Sequence, residues 1–253
     1  MSAKNFGISI QLFFILALLC IACTPAPQTD ASAQITADIP KEASISNLDS
    51  LGYCYNPFNP VIEGKRWNYL LKTQEETQSF DVYYQEVNKD RFTRLVEFPD
   101  FLSETSWTCS PEGLLSMQFG TLTSKGLGDF GIQPTEVRGV SIPKAELWKI
   151  GYAWQTQYIA EVKLGMGDNE ISGQGNITQN YTIVGREPIT VPAGMYDSAY
   201  IVDTSINIIV DFLGSQTSIE TTSKDWYVEN IGLVKSLSDD PEYPYILELV
   251  SIQ

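Results

Sequence analysis

Arg66-Trp67-Asn68-Tyr69-Leu70-Leu71-Lys72-Thr73 is the stretch on which the fold class turns. Trp67, Tyr69 and Leu71 occupy alternate positions and share one face of an extended chain, while Asn68 and Lys72 fall on the other with Leu70. One buried and one mostly wet face marks an antiparallel strand, because parallel strands are covered on both sides. Beyond Ser50 the same period of two continues, carried by Thr, Val, Ile, Tyr and Trp and punctuated by Gly, Asn, Asp and Pro. It predicts strands over Asp81 to Asn88, Phe92 to Glu97, Ser103 to Cys109, Leu114 to Thr123 and Ala153 to Leu164. Further strands follow over Asn176 to Glu187, Ser198 to Ile209, Ser215 to Val228, Leu233 to Ser238 and Tyr245 to Ile252. No stretch carries a helical period. The fold expected is mainly β: an antiparallel meander forming a half-barrel, barrel or sandwich.

A weak internal two-fold repeat is expected within it. Gly64-Lys65-Arg66-Trp67 is echoed by Gly151-Tyr152-Ala153-Trp154, and Trp107-x5-Gly113-Leu114 by Trp226-x5-Gly232-Leu233. Four of the five tryptophans thus stand in a frame used twice, with Pro60 and Pro143 ahead of the two copies. The glycine permits a sharp turn into the strand and the tryptophan fixes which way the strand faces. The pseudo-repeats would cover about residues 55–140 and 141–253, the second carrying extra strands.

Ahead of this domain, Met1 to Cys23 holds Lys4, a mostly apolar run from Ile8 that is unbroken from Leu12 to Leu19, and Cys20-Ile21-Ala22-Cys23. The run is shorter than the roughly 20 residues a spanning helix needs, and the small Ala22 suits cleavage before Cys23. This resembles the lipobox of bacterial lipoproteins, with Cys20 standing where Leu is usual. Residues 1–22 therefore read as a lipoprotein signal peptide, 23–50 as a lipidated Cys23 with a flexible tether, and 51–253 as a single β-rich domain. An acyl chain contributes about 0.8 kcal/mol per buried methylene, so two or three on Cys23 would hold the protein at a membrane. The tether, rich in Ala, Ser, Thr, Pro and Gln, would place the domain on the order of 30 Å above it.

With 31 acidic residues against 16 basic and a net charge of −15, the chain repels phosphate backbones and anionic headgroups. Nucleic acid is excluded as an expected partner, and the membrane must be held through lipid. Of the four cysteines, Cys20 leaves with the signal and Cys23 takes the lipid, so Cys54 and Cys109 are expected to form a disulfide in an exported, oxidising setting. Two buried free thiols are the alternative.

Val191-Pro192-Ala193-Gly194-Met195-Tyr196-Asp197 and Trp226-Tyr227-Val228-Glu229-Asn230-Ile231-Gly232-Leu233-Val234-Lys235 resemble the VPAGxFD and WYxxxxGLVK signature of bacterial envelope proteins that include the TapB-like lipoproteins. The resemblance covers mainly Trp154 to Ser236. It implies an antiparallel β-domain, a curved sheet like those of the LolA and LolB carriers, and it brings no catalytic residue with it. Read on its own, Pro192-Ala193-Gly194 is a turn, with a fixed φ from proline.

The chain contains no histidine, which removes imidazole acid–base catalysis, Ser-His-Asp and Cys-His arrangements, and zinc sites that need imidazole. Gly126-Leu127-Gly128-Asp129-Phe130-Gly131 matches a dinucleotide motif, but Pro134 and the lack of a following helix make it a glycine loop. Ser141-Ile142-Pro143-Lys144 matches an acylating-serine motif without its partners. Asp168-Asn169-Glu170-Ile171-Ser172-Gly173 begins like a calcium loop, yet Gln179 stands where the bidentate Glu belongs. Asp239, Asp240 and Glu242 read as a solvated acidic turn, and the sequons at Asn176 and Asn180 as polar strand ends. No cofactor, metal ligand or catalytic residue is expected. Asp203, Asp211, Glu220 and Asp225 keep a carboxylate-based polysaccharide hydrolase as a distant option, with nothing to select a pair.

What remains is the aromatic content. Trp67, Trp154 and Trp226 are expected to face inward, as core residues or, in a curved unclosed sheet, as the lining of a groove for an apolar ligand. The functional expectation is a membrane-anchored, extracytoplasmic lipoprotein of the cell membrane or outer membrane. Its β-domain would be non-enzymatic and bind a hydrophobic small molecule or lipid. The alternative is a structural or protein-interaction module that engages an envelope protein.

Overall fold

Thirteen strands build one antiparallel sheet in the computed structural model, which describes residues 52–119, 130–166, 169–238, 240–241 and 244–253. They are β1 (Arg66–Thr73), β2 (Thr77–Gln85), β3 (Arg91–Glu97), β4 (Leu102–Ser110), β5 (Gly113–Ser116), β6 (Phe130–Gly139) and β7 (Ile142–Pro143). The second half supplies β8 (Ala153–Met166), β9 (Asn169–Val191), β10 (Gly194–Phe212), β11 (Ser215–Val228), β12 (Gly232–Ser238) and β13 (Tyr245–Ile252). Among the described residues helix is limited to two short 3-10 turns, Gly52–Cys54 and Ala145–Leu147. Bounds of β1, β11 and β13 coincide with the period-two reading, whereas β9 and β10 run further at both ends.

The order across the sheet is β6-β8-β9-β10-β11-β12-β13-β1-β2-β3-β4-β5-β7, so the meander of the second half is joined to that of the first through β13 and β1. Irregularities at Asn68/Tyr69, Ile201/Val202 and Trp226/Tyr227 add to the intrinsic twist and coil the sheet around its inner face. The result is a large curved sheet that is open as a ladder but has its two edges drawn together at one place. β6 and β7 lie at opposite ends of the order, yet only Val140 and Ser141 separate them in the chain. Val140 N–H donates to Gln155 O of β8 at 3.1 Å, and Ser141 N–H donates to Leu114 O of β5 at 2.8 Å. Ser141 Oγ also accepts from Ser116 N–H at 3.1 Å. Two residues therefore stitch one edge to the other.

The Gly–Trp landmarks open β1 and β8, and the Trp–Gly pairs bound the β4–β5 and β11–β12 hairpins. Beyond these landmarks the halves diverge. β8 to β10 hold 14, 23 and 19 residues where β1 to β3 hold 8, 9 and 7, and the disulfide has no second-half counterpart among the described residues.

Inward residues of both halves meet in one cluster that includes Trp67, Tyr69, Val82, Phe92, Ile183, Val202 and Leu249. The long strands continue past it into a second cluster of Ile132, Tyr158, Val162, Ile177, Ile208 and Val210. Before β1 the chain packs across one end of the curved sheet. Asn56-Pro57-Phe58-Asn59 is a turn with Asn and Pro at the positions that favour one, closed by Asn59 N–H to Asn56 O at 3.1 Å. The buried Asn56 amide donates to Pro143 O at 2.9 Å and accepts from Phe58 N–H at 2.9 Å, while Asn230 N–H donates to Pro57 O at 2.7 Å. Cys54, just ahead of this turn, is disulfide-bonded to Cys109 of β4. The signal segment, Cys23, the tether, most of the glycine loop, and Asp168, Asp239 and Glu242 lie outside the described residues.

Candidate functional site

The inner face holds a partly open cavity of about 220 Å³. β1 contributes Trp67 and Tyr69, β2 Phe80, Val82 and Tyr84, β3 Arg94 and β4 Trp107. Tyr181, Tyr227, Leu233 and Leu247 complete the lining together with the Asn59–Pro60 turn and the Ser141–Ile142 stitch. These side chains converge because alternation puts every second residue inward and the ladder brings them side by side. Trp67 pairs with Val82, Tyr69 with Phe80, and Tyr84 with Arg94. The hydroxyls and indole on the walls are held from behind: Trp67 Nε1 donates to Ile231 O at 3.0 Å and Tyr69 Oη to Leu233 O at 2.8 Å. Burial pushes the phenols of Tyr69, Tyr84, Tyr181 and Tyr227 up, so they act as neutral hydrogen-bonding groups.

The expected groove tryptophans take three different places. Trp67 lines the cavity. Trp154 stands one layer behind, stacked on Tyr181 with ring centroids 5.1 Å apart and donating through Nε1 to Ser141 O at 3.1 Å. Trp226, 7% exposed, belongs to the main core cluster and does not line the cavity. β10 and β11 pair without a shift between Tyr200↔Tyr227 and Val202↔Asp225, so Trp226 points away from Tyr227 and Asp225. It is covered there by Lys235, whose Nζ sits 5.7 Å from the ring centroid, and by Glu187, which accepts its Nε1–H at 2.7 Å.

Two polar features stand out on the inner side. Tyr84 Oη donates to Asn59 Oδ1 at 3.2 Å and adjoins the Arg94 side chain, which also bears electrostatically on Tyr69 and Tyr227. Among the described residues no carboxylate forms an ion pair with Arg94. The second feature is Asp225, 8% exposed, which accepts from Thr204 Oγ1 at 2.8 Å, from Ser236 Oγ, and from Ser223 Oγ at 3.5 Å. Desolvation raises its pKa above the ordinary carboxylate value, and the hydroxyl donors oppose the rise.

Neither feature makes a catalytic pair. Of the other acids weighed from the sequence, Asp203 faces Lys224 at 3.8 Å on the outer side, and Asp211 caps the β10–β11 turn by accepting from Gly214 N–H at 2.8 Å. Among the described residues the hydrogen-bond partners of Asp225 are hydroxyls, and Asp203 adds only a smaller repulsion. Its titration has a definite sign. The folded chain holds the Asp225 proton to higher pH than the unfolded chain does, so this group's contribution to stability falls as pH rises from the ordinary aspartate value through the raised one. Asp225→Asn keeps the shape, and the three hydroxyls can turn to serve the amide. It is expected to match the wild type in acid and to exceed it near neutrality, as measured by thermal unfolding over about pH 3 to 8. Parallel curves would mean that Asp225 is solvated.

A wider cleft of about 500 Å³ runs along Glu63–Arg66 and Tyr83–Glu86 on the outer side. It is a weaker candidate because Arg66 is already bound to Glu97 at 2.7 Å and Asp81 at 3.3 Å and lies over the Tyr83 ring.

Residues 68–241, which include most of the cavity wall, match the sequence profile of the DUF3108-like family. The chain belongs to the DUF3108-like family. No curated protein matches it. Among solved structures, a protein of Parabacteroides distasonis ATCC 8503 described as a candidate lipoprotein is 18% identical, with a TM-score of 0.50 over 78% of this chain and 99% of its own. A candidate exported protein with a YmcC-like fold from Bacteroides fragilis NCTC 9343 is 14% identical, with a TM-score of 0.47 over 79% of this chain and 100% of its own. The DUF3108-like chain thus shares its curved sheet with the Parabacteroides protein.

Proposed function

We propose that this DUF3108-like protein is a membrane-anchored extracytoplasmic lipoprotein whose curved β-domain binds a hydrophobic small molecule or lipid without catalysing a reaction. The observation that carries the reading is the 220 Å³ cavity walled by Trp67, Tyr69, Phe80, Val82 and Trp107. Engineered apolar cavities of about 150 Å³ already take up small aromatic ligands. Seven aromatic side chains, Tyr84, Tyr181 and Tyr227 included, stand around this space. Anchoring rests on the lipobox at Ala22-Cys23, and the lipoprotein description of the Parabacteroides neighbour accords with it. Val191–Asp197 and Trp226–Lys235 support the closer kinship with TapB-like lipoproteins.

A protein-interaction module would need a contiguous exposed apolar face. Among the described residues Met195, 70% exposed, and Leu213, 91% exposed, are the most exposed large apolar side chains, and they stand at the start of β10 and just past its end. Binding inside the sheet is favoured on that ground. The test is native mass spectrometry of residues 24–253, a span that holds every described residue, before and after organic extraction. The expected result is an added mass in the lipid range that extraction removes. A clean apo mass with no uptake from membrane lipids would overturn the reading.

A further inference from the structure

We infer that the ligand carries a carboxylate, and that Arg94, Asn59 and Tyr84 form the pocket for it. The inference rests on the cavity-binding reading above and adds the chemistry of the ligand's polar end. Three observations bear on it independently. Arg94 projects from β3 on the same side as Phe92 and Val96, into an otherwise aromatic and aliphatic wall, and no carboxylate among the described residues neutralises it. A guanidinium offers donors only, and its planar fork matches a carboxylate. Asn59, also on the cavity wall, has a buried side-chain amide nitrogen with no hydrogen-bond partner, the only such buried side-chain atom among the described residues. A buried donor without an acceptor is costly, and native proteins rarely keep one. Tyr84 joins the two, since its hydroxyl donates to Asn59 Oδ1 and adjoins the Arg94 side chain.

The arrangement is therefore rich in unused donors at one end and apolar along the rest. What complements it is an acceptor-only anionic group on an apolar body, a monocarboxylate amphiphile. A neutral alcohol of the same length would satisfy the tail and leave the guanidinium uncompensated. The net charge of −15 sharpens the contrast, because in so acidic a chain Arg94 faces inward and no acid among the described residues is set against it.

Calorimetric titration of residues 24–253 with octanoate and with octanol separates the possibilities. The expected result is that octanoate binds at least tenfold more tightly than octanol, that Arg94→Gln abolishes the preference, and that Arg94→Lys retains most of it. The lysine variant and unchanged thermal unfolding guard against misfolding as the cause. Equal binding of both ligands by the wild type would overturn the carboxylate inference and leave the apolar-cavity reading standing. A preference that survives Arg94→Gln would overturn the assignment to Arg94. Binding of neither ligand would remove the cavity-binding reading itself.

Discussion

Replacing both members of the Cys54–Cys109 disulfide by alanine is expected to lower stability by about 4 kcal/mol, because the bond closes a separation of 55 residues and restricts the unfolded chain accordingly. The loss should be local as well as global. Cys54 precedes the turn that supplies Phe58 and Val61 to the core and Asn59 and Pro60 to the cavity. That turn is held otherwise by Asn56 to Pro143 and Asn230 to Pro57, single hydrogen bonds worth about 1 kcal/mol each. The double variant should therefore unfold at a lower denaturant concentration and also show faster amide exchange at Phe58 and Asn59 than in β1 to β4. Uniform loss across the sheet, or a change below about 1 kcal/mol, would mean that the turn docks without the covalent tie.

β1, β11 and β13 are legible because each alternates cleanly and is bounded by turn residues, so period and limits agree. β6 is not, because Gly131, Pro134 and Gly139 read as loop punctuation. Pro134 is tolerated where it stands because β6 is an edge strand and the β6–β8 ladder shifts register between Pro134 and Glu136. The stitch between the two sheet edges follows from β6 and β7 together, and neither strand shows in the period of two. Within the site, Trp67 is placed by its own strand's alternation. Trp226 also alternates, but which face of β11 turns inward depends on pairing with β10 and β12, and no local signal in the strand fixes that. Arg94 had a readable sign, a lone charge in phase with Phe92 and Val96. Asn59 had none, since its orphaned amide exists only when the turn meets Tyr84.

The stitch itself has no room for an added side-chain carbon at Gly139. Gly139 has φ of 88°, and a Cβ there would overlap the Gln155 carbonyl oxygen, the acceptor of the Val140 N–H. Gly151 has the same φ of 88° with nothing within 4 Å of the place a Cβ would occupy. The two positions thus separate backbone strain from close approach. Gly151→Ala is expected to cost only the left-handed conformation, roughly 1–2 kcal/mol. Gly139→Ala carries that cost and also forces β6 and β8 apart at the point where the sheet edges meet, for a total on the order of 3–5 kcal/mol. Denaturant unfolding of the two variants measures the difference, and amide exchange at Val140 and Ser141 locates it. Because Ser141 and Ile142 also form part of the cavity wall, Gly139→Ala should weaken ligand uptake while Gly151→Ala leaves it unchanged. Equal losses in both variants would mean that the edges are not held together at this point, and the cavity would then owe its shape to the curvature of the sheet alone.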